Sequence, residues 1–160
     1  FLSYPSAVYT VPYGVMVPKE VDNLLLPVPV SGSHIGFSTL RMEPCWMAMG
    51  QAAGIASALS IDGKVKVQNI NLSRLQDKLI DQKATLMYFK DVDYTSPHFR
   101  MVQYLGLRGY LPEWTARLQE PVDATTLAAW KKLSGTDLPG IEAGKTTRLA
   151  TLEMIYRKIK

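Results

Sequence analysis

The chain has 160 residues and a mass of 17.8 kDa, enough for one hydrophobic core or a core with a satellite, and too little for several full domains. With 47% hydrophobic residues, 20% charged residues and a mean hydropathy of -0.01, it excludes wholesale disorder and collagen-like structure. Eighteen Lys and Arg against 14 Asp and Glu leave a net charge of +4, without a block of five like charges, so a solvated face explains the cations better than a nucleic-acid footprint. The single cysteine, Cys45, forbids an internal disulfide and any multi-cysteine metal site.

The first charge is Lys19, but Pro5, Pro12 and Pro18 interrupt the uncharged start and no basic region precedes it, so it does not read as a signal peptide. A chain opening on Phe1 in strand-like material is expected to be a piece of something longer. Val8 to Val17 and Val21 to Val30 are β-prone runs broken by prolines, which predicts edge strands. Ser31-Gly32-Ser33 reads as a turn, followed by an irregular connection to Glu43. Pro44 at a first-turn position then opens a helix to about Ile61, stopped by Asp62-Gly63. That stretch is uncharged and carries Gly50-x-x-x-Gly54, yet Gln51, Ser57, Ser60 and many alanines make it too polar for lipid. The expectation is a buried helix that another backbone approaches closely.

After a short extended piece at Val65 to Val67, Asn71 reads as an N-cap for a helix to about Gln82, with Leu72, Leu75, Leu79 and Ile80 as its apolar stripe. A composition shift between Met87 and Val92 marks the expected boundary of a helical unit. Ser96-Pro97 predicts a helix start, with His98 exposed, Phe99, Val102 and Leu105 inward and Gly109 as the stop. Asp123 caps the next helix, with Leu127, Trp130 and Leu133 inward and Ser134-Gly135 at its end. Thr146 is expected to cap the last, where Leu149, Leu152, Ile155, Tyr156 and Ile159 repeat at helical spacing and Arg157, Lys158 and Lys160 suit the negative end.

Several constellations fail on spacing. Gly140 to Thr146 resembles a phosphate loop but has three residues between its glycines where four are needed. Asp91-x-Asp93-x-Thr95 begins like a calcium loop but has Val102 where the bidentate glutamate belongs. Met42, Met47 and Met49 beside Cys45 and Trp46 read as core filling rather than soft-metal ligands, and nothing pairs Cys45 with His34 as a nucleophile.

One stretch carries more. Asp22-Asn23-Leu24-Leu25-Leu26-Pro27, then Ser31-Gly32-Ser33-His34, Arg41-Met42-Glu43-Pro44 and Gly50-Gln51-Ala52-Ala53-Gly54 follow in an order that resembles the C-terminal flavin-contacting segment of FAD-dependent oxidoreductases of the glutathione-reductase-like fold. The resemblance is closest to the bacterial branch often labelled xanthan lyase or polysaccharide-degradation related. It implies FAD as cofactor and Ser31, Gly32, Ser33, His34, Arg41, Met42 and Glu43 as its contacts. It also implies a mixed α/β fragment, with edge strands and a buried helix from an FAD-binding domain, ahead of a mainly helical C-terminal unit. The family's Ala-Gly-Arg after the Asn-Leu-Leu strand is replaced here by Pro27-Val28-Pro29. No Gly-x-Gly-x-x-Gly dinucleotide fingerprint occurs in the 160 residues, so this stretch alone is not expected to hold FAD or to be active without the rest of a parent chain.

The domain expectation is residues 1–86 as the oxidoreductase segment and 87–160 as a second unit. Phe89-Lys90-Asp91-Val92, Gly109-Tyr110 and Thr147-Arg148 make that second unit similar to S-layer homology modules, which anchor proteins to cell-wall polysaccharide. The alternatives for function are a carbohydrate or cell-wall binding module, a helical cap with Trp114 and Trp130 in its core, or a polysaccharide lyase using His34 with Arg41 or a tyrosine. A saccharide is the substrate class these labels imply. The compartment stays open, with the bacterial periplasm or secretion among the readings, and neither a membrane span nor a nucleic-acid partner is expected.

Overall fold

The computed structural model describes residues 8–160. Six helices follow in order, α1 (His34–Leu40), α2 (Glu43–Gly63), α3 (Leu72–Asp81), α4 (Phe99–Gly106), α5 (Ala124–Ser134) and α6 (Arg148–Ile159), with short 3-10 turns at Tyr13–Met16 and Val67–Asn69. The chain divides into two compact units, Phe1–Leu86 and Met87–Lys160.

The first unit corrects the expected mixed α/β fragment: among the described residues no strand or sheet forms. Val8 to Val17 folds around the 3-10 turn, and Val21 to Val30 runs through bends. The physical reason lies in the partners. Prolines at 12, 18, 27 and 29 remove ladder donors. Among the described residues, two backbone bonds tie the runs to each other and to the next segment, Leu26 N–H to Met16 O and Ser31 N–H to Val15 O, both 2.8 Å. β-branched composition without an adjacent strand favours extended backbone, not a sheet. Side chains hold the segment instead: Tyr13 donates to Val67 O (2.9 Å), Gln68 to Val21 O (3.0 Å), and Lys66 pairs with Asp22 (2.5 Å).

The long helix α2 is alanine-rich, has Glu43 in its first turn and Pro44 beside it, and buries Met49, Ala53, Ala56 and Leu59. Those four positions fall on one face. Met49 and Ala53 join Met16, Val30 and Leu40 in one cluster, while Ala56 and Leu59 join Ile70 and, from α3, Leu75 and Leu79 in another. The expected fully buried helix is therefore half exposed: Met47 is 75% and Ile61 76% exposed, and no heavy atom lies within 4 Å of a Cβ placed on Gly50 or Gly54. The expected close backbone approach is absent among the described residues. The helix runs through the Asp-Gly signal and ends on Gly63, with Lys64 rather than Gly63 the left-handed cap (φ 50°). Asn71 caps α3 as expected, accepting from Arg74 N–H at 3.1 Å, but Leu72 of the predicted stripe is exposed.

The second unit has one core. Met101, Val102 and Leu105 of α4, Leu127 and Trp130 of α5, and Leu152 and Ile155 of α6 meet Phe89, Leu111 and Val122 from the connections. Asp123 and Thr147 cap α5 and α6, accepting from Thr126 N–H (2.8 Å) and Ala150 N–H (3.2 Å). The cap of α6 is Thr147, one residue after the one expected; Thr146 Oγ1 accepts from Glu142 N–H instead. The remaining first-turn donors of α6 are also satisfied, Arg148 N–H by Glu120 O (2.8 Å) and Leu149 N–H by Leu118 O (2.9 Å). Leu133 and Trp114, expected inward, are 51% and 45% exposed, and His98 is a half-buried N-cap of α4.

Candidate functional site

The seven predicted flavin contacts lie at the two ends of α1. Ser31, Gly32, Ser33 and His34 lead into it, and Arg41, Met42 and Glu43 leave it for α2. Seven residues at 1.5 Å rise separate the groups by roughly 10 Å, so they form two clusters, both exposed, rather than one.

Local bonds explain the shape. Ser33 caps α1 through Oγ, which accepts from Gly36 N–H at 3.0 Å, and Ser33 O accepts from Phe37 N–H at 2.8 Å. Thr39 Oγ1 donates to Gly36 O at 2.9 Å and also meets the hydroxyl of Tyr9. The connection read as irregular is thus a capped helix. Seven residues gave too little periodicity to reveal it, although Ser33 was a legible cap. Leu40 is the buried anchor of α1.

At the far end, Arg41 is exposed and has no ion-pair partner among the described residues, nearby Glu43 included. Met42 takes the N-cap position of α2, 53% exposed and without a side-chain cap. Cys45 and Trp46 N–H both bond Met42 O, at 3.0 and 3.1 Å. The Glu43 carboxylate in the first turn offsets part of the positive end of the helix. In the same first turns, Trp46 Nε1 is buried without a hydrogen-bond partner among the described residues. His34, exposed at the start of α1, and Cys45 do not belong to any group of three or more metal-ligating side chains, and no such group exists among the described residues.

The donor set, two serine hydroxyls, an imidazole and an unpaired guanidinium, suits a carbonyl-rich or anionic planar edge. Residues 2–79 match the family model for FAD dependent oxidoreductases. The match spans all seven positions and supports an FAD-dependent oxidoreductase part in the first unit. No curated protein and no solved structure matches the chain. No described helix is long and apolar enough to cross a membrane.

Sequence reasoning passed over one exposed feature of the second unit. Tyr88 and Trp114, 44% and 45% exposed, meet edge to face with ring centroids 6.5 Å apart. Only the exposure of an indole that the helical-cap alternative places in a core draws attention to them.

Proposed function

We propose that the first unit supplies the flavin-facing helix pair of an FAD-dependent oxidoreductase, with Ser31, Gly32, Ser33 and His34 at one end of the ring system and Arg41, Met42 and Glu43 at the other. The observation that carries the reading is the family match over residues 2–79, together with the exposure of all seven side chains at the two ends of one short helix. Bound flavin would supply the redox chemistry. The chain's own residues bind and orient: Ser31 and Ser33 hydroxyls and the His34 imidazole donate hydrogen bonds, Gly32 keeps the approach free of a side chain, and Arg41 places a positive charge at the edge that becomes anionic on reduction. Glu43 opposes that charge, so Arg41 and not the helix dipole carries most of the electrostatic effect in this reading. The ADP half of FAD is assigned to sequence carrying a dinucleotide fingerprint, and the substrate to a saccharide.

Arg41 provides the test. In the flavin-loaded protein Arg41→Met should lower the midpoint potential, because the lost charge stabilises the reduced form more than the oxidised one. A coupling of about 1 kcal/mol corresponds to roughly 20 mV for a two-electron couple. Dye equilibration at equal FAD occupancy reads it; a shift within error removes Arg41 from the flavin edge. Titrating FAD into these 160 residues alone should give no tight stoichiometric complex, and such a complex would overturn the division of the site.

A further inference from the structure

Seven methionines occur in the chain, and five of them pack inward: Met16, Met49 and Met101 are buried, and Met87 and Met154 lie half-buried against the core of the second unit. The other two stand at the start of α2, Met42 53% and Met47 75% exposed. Of the three methionines expected to fill a core here, only Met49 does so. A thioether in solvent gains nothing from packing, and leucine or lysine serves a helix surface equally well. What sets methionine apart there is its sulfur, which takes up one oxygen reversibly.

Met42 holds the more consequential place. It is the N-cap of α2, and its side chain offers no acceptor to the first turn. Pro44 has no N–H, and the amides of Cys45 and Trp46 both turn back onto the carbonyl of Met42, at 3.0 and 3.1 Å. The neighbouring Arg41 is exposed and has no ion-pair partner among the described residues. Guanidinium and helix start thus gather positive charge, only part of it offset by Glu43, around a side chain whose sulfur is a weak acceptor. A sulfoxide oxygen is a polar acceptor, and it stands as many bonds from Cα as the amide oxygen of a glutamine.

We propose that Met42 is a peroxide-switched residue: its sulfoxide supplies the acceptor that the start of α2 lacks, and the Arg41 guanidinium donates to it and is withdrawn from the flavin edge. In the forward step a sulfur lone pair attacks one oxygen of hydrogen peroxide. The S–O bond forms, the O–O bond breaks, and the second oxygen leaves as water after taking up the proton of the first. Sulfur gives up two electrons and the peroxide gains them. A dithiol-dependent sulfoxide reductase restores the thioether, its two thiols becoming a disulfide while the oxygen leaves as water. Hydrogen peroxide is the product when dioxygen takes two electrons from a reduced flavin, so the oxidant arises beside its target. That source and the effect on the flavin rest on the flavin reading of the first unit; the reactivity of the exposed thioethers does not.

The test has two arms, both in a Cys45→Ser background that removes the one competing thiol. Hydrogen peroxide added to the folded chain, followed by peptide mass mapping, should add about 16 Da at Met42 and Met47 at least about tenfold faster than at Met16, Met49 or Met101. The difference should vanish in urea. A rate at Met42 no faster than at the three buried methionines overturns the proposal without touching the flavin reading. In the flavin-loaded protein, oxidation should lower the midpoint potential, the direction expected for Arg41→Met, and a methionine sulfoxide reductase should restore it. The shift should persist in Met47→Leu and vanish in Met42→Leu, with unchanged melting midpoints showing that both variants stay folded. A shift that Met42→Leu keeps overturns the switch. So does an unmoved potential with Met42 fully oxidised in a protein that responds to Arg41→Met, and the flavin reading then stands. If Arg41→Met itself moves nothing, the flavin reading falls and the switch falls with it.

Discussion

Gln103 is fully buried on α4, and its amide closes a reciprocal pair with one backbone residue: Oε1 accepts from Met87 N–H at 2.8 Å and Nε2 donates to Met87 O at 2.7 Å. The side chain thereby imitates a neighbouring strand. Gln103→Met keeps the volume and deletes both bonds, so it should cost about 1 to 3 kcal/mol in urea unfolding, mostly from the unpaired groups of Met87. Three residues on, Gly106 leaves room for the Phe89 ring, whose Cζ would lie 3.0 Å from an added Cβ. Phe89 is 5% exposed and hemmed in by the core, so Gly106→Ala should destabilise by about 1 to 3 kcal/mol despite alanine's better helix propensity. An equal or raised urea midpoint would mean the ring yields freely. Neither residue stood out in the sequence. Periodicity picks out apolar positions, and it marks an inward glutamine as solvent-facing and a helical glycine as a mere weakness.

The helices with a capping residue and a full apolar period were legible, α3 through Asn71, α5 through Asp123, and α6 by its own repeat. Val8 to Val30 misled because β propensity describes a surface waiting for a neighbour, and no strand neighbours it among the described residues. Of the candidate site, the order of small and polar residues was legible, but its split across α1 was not, since that helix is two turns long. On α2, the open space at Gly54 reverses the expectation for a substitution there. Gly54→Ala should stabilise this chain by about 0.5 to 1 kcal/mol, because it removes backbone freedom from the unfolded state and meets nothing in the folded one. Thermal unfolding checks it, and a loss of stability would reveal a covered face.

The caps also carry pH dependence. Hydrogen bonds from Thr126 lower the Asp123 carboxyl below its usual value, and those from Thr95 do the same to Asp93. A carboxyl whose folded pKa is depressed contributes stability that is complete above its unfolded value, about 3.9, and is lost as pH falls through the folded value. The melting midpoint should therefore drop as pH is lowered below about 4. Asp123→Ala should lower the midpoint near neutrality and show a shallower acid drop; an unchanged acid limb would mean that the titration of Asp123 is not coupled to folding.

At the scale of the molecule, the two units differ in how their cores are built. α2 runs through both clusters of the first unit, and Tyr13, Leu25 and Ala52 touch both, so this helix is the spine on which everything from Val11 to Leu86 is hung. The second unit gathers α4, α5 and α6 around one shared cluster and draws its polar clamps from its own residues. Residues 87–160 expressed alone should accordingly unfold in one cooperative transition, read by circular dichroism and by the fluorescence of buried Trp130. A gradual, probe-dependent melt would show that the unit borrows stability from elsewhere.

The start of α6 has a kinetic consequence. Its first two amides are satisfied by the carbonyls of Glu120 and Leu118, roughly thirty residues upstream in sequence, and its buried Leu152 and Ile155 complete the core that α4 opens. A twelve-residue helix is marginal by itself, so α6 is expected to form when the loop closes and not before. The slow step of folding then becomes a ring closure over the whole of α5, and substitutions in Leu118 to Val122 should retard refolding more than they accelerate unfolding.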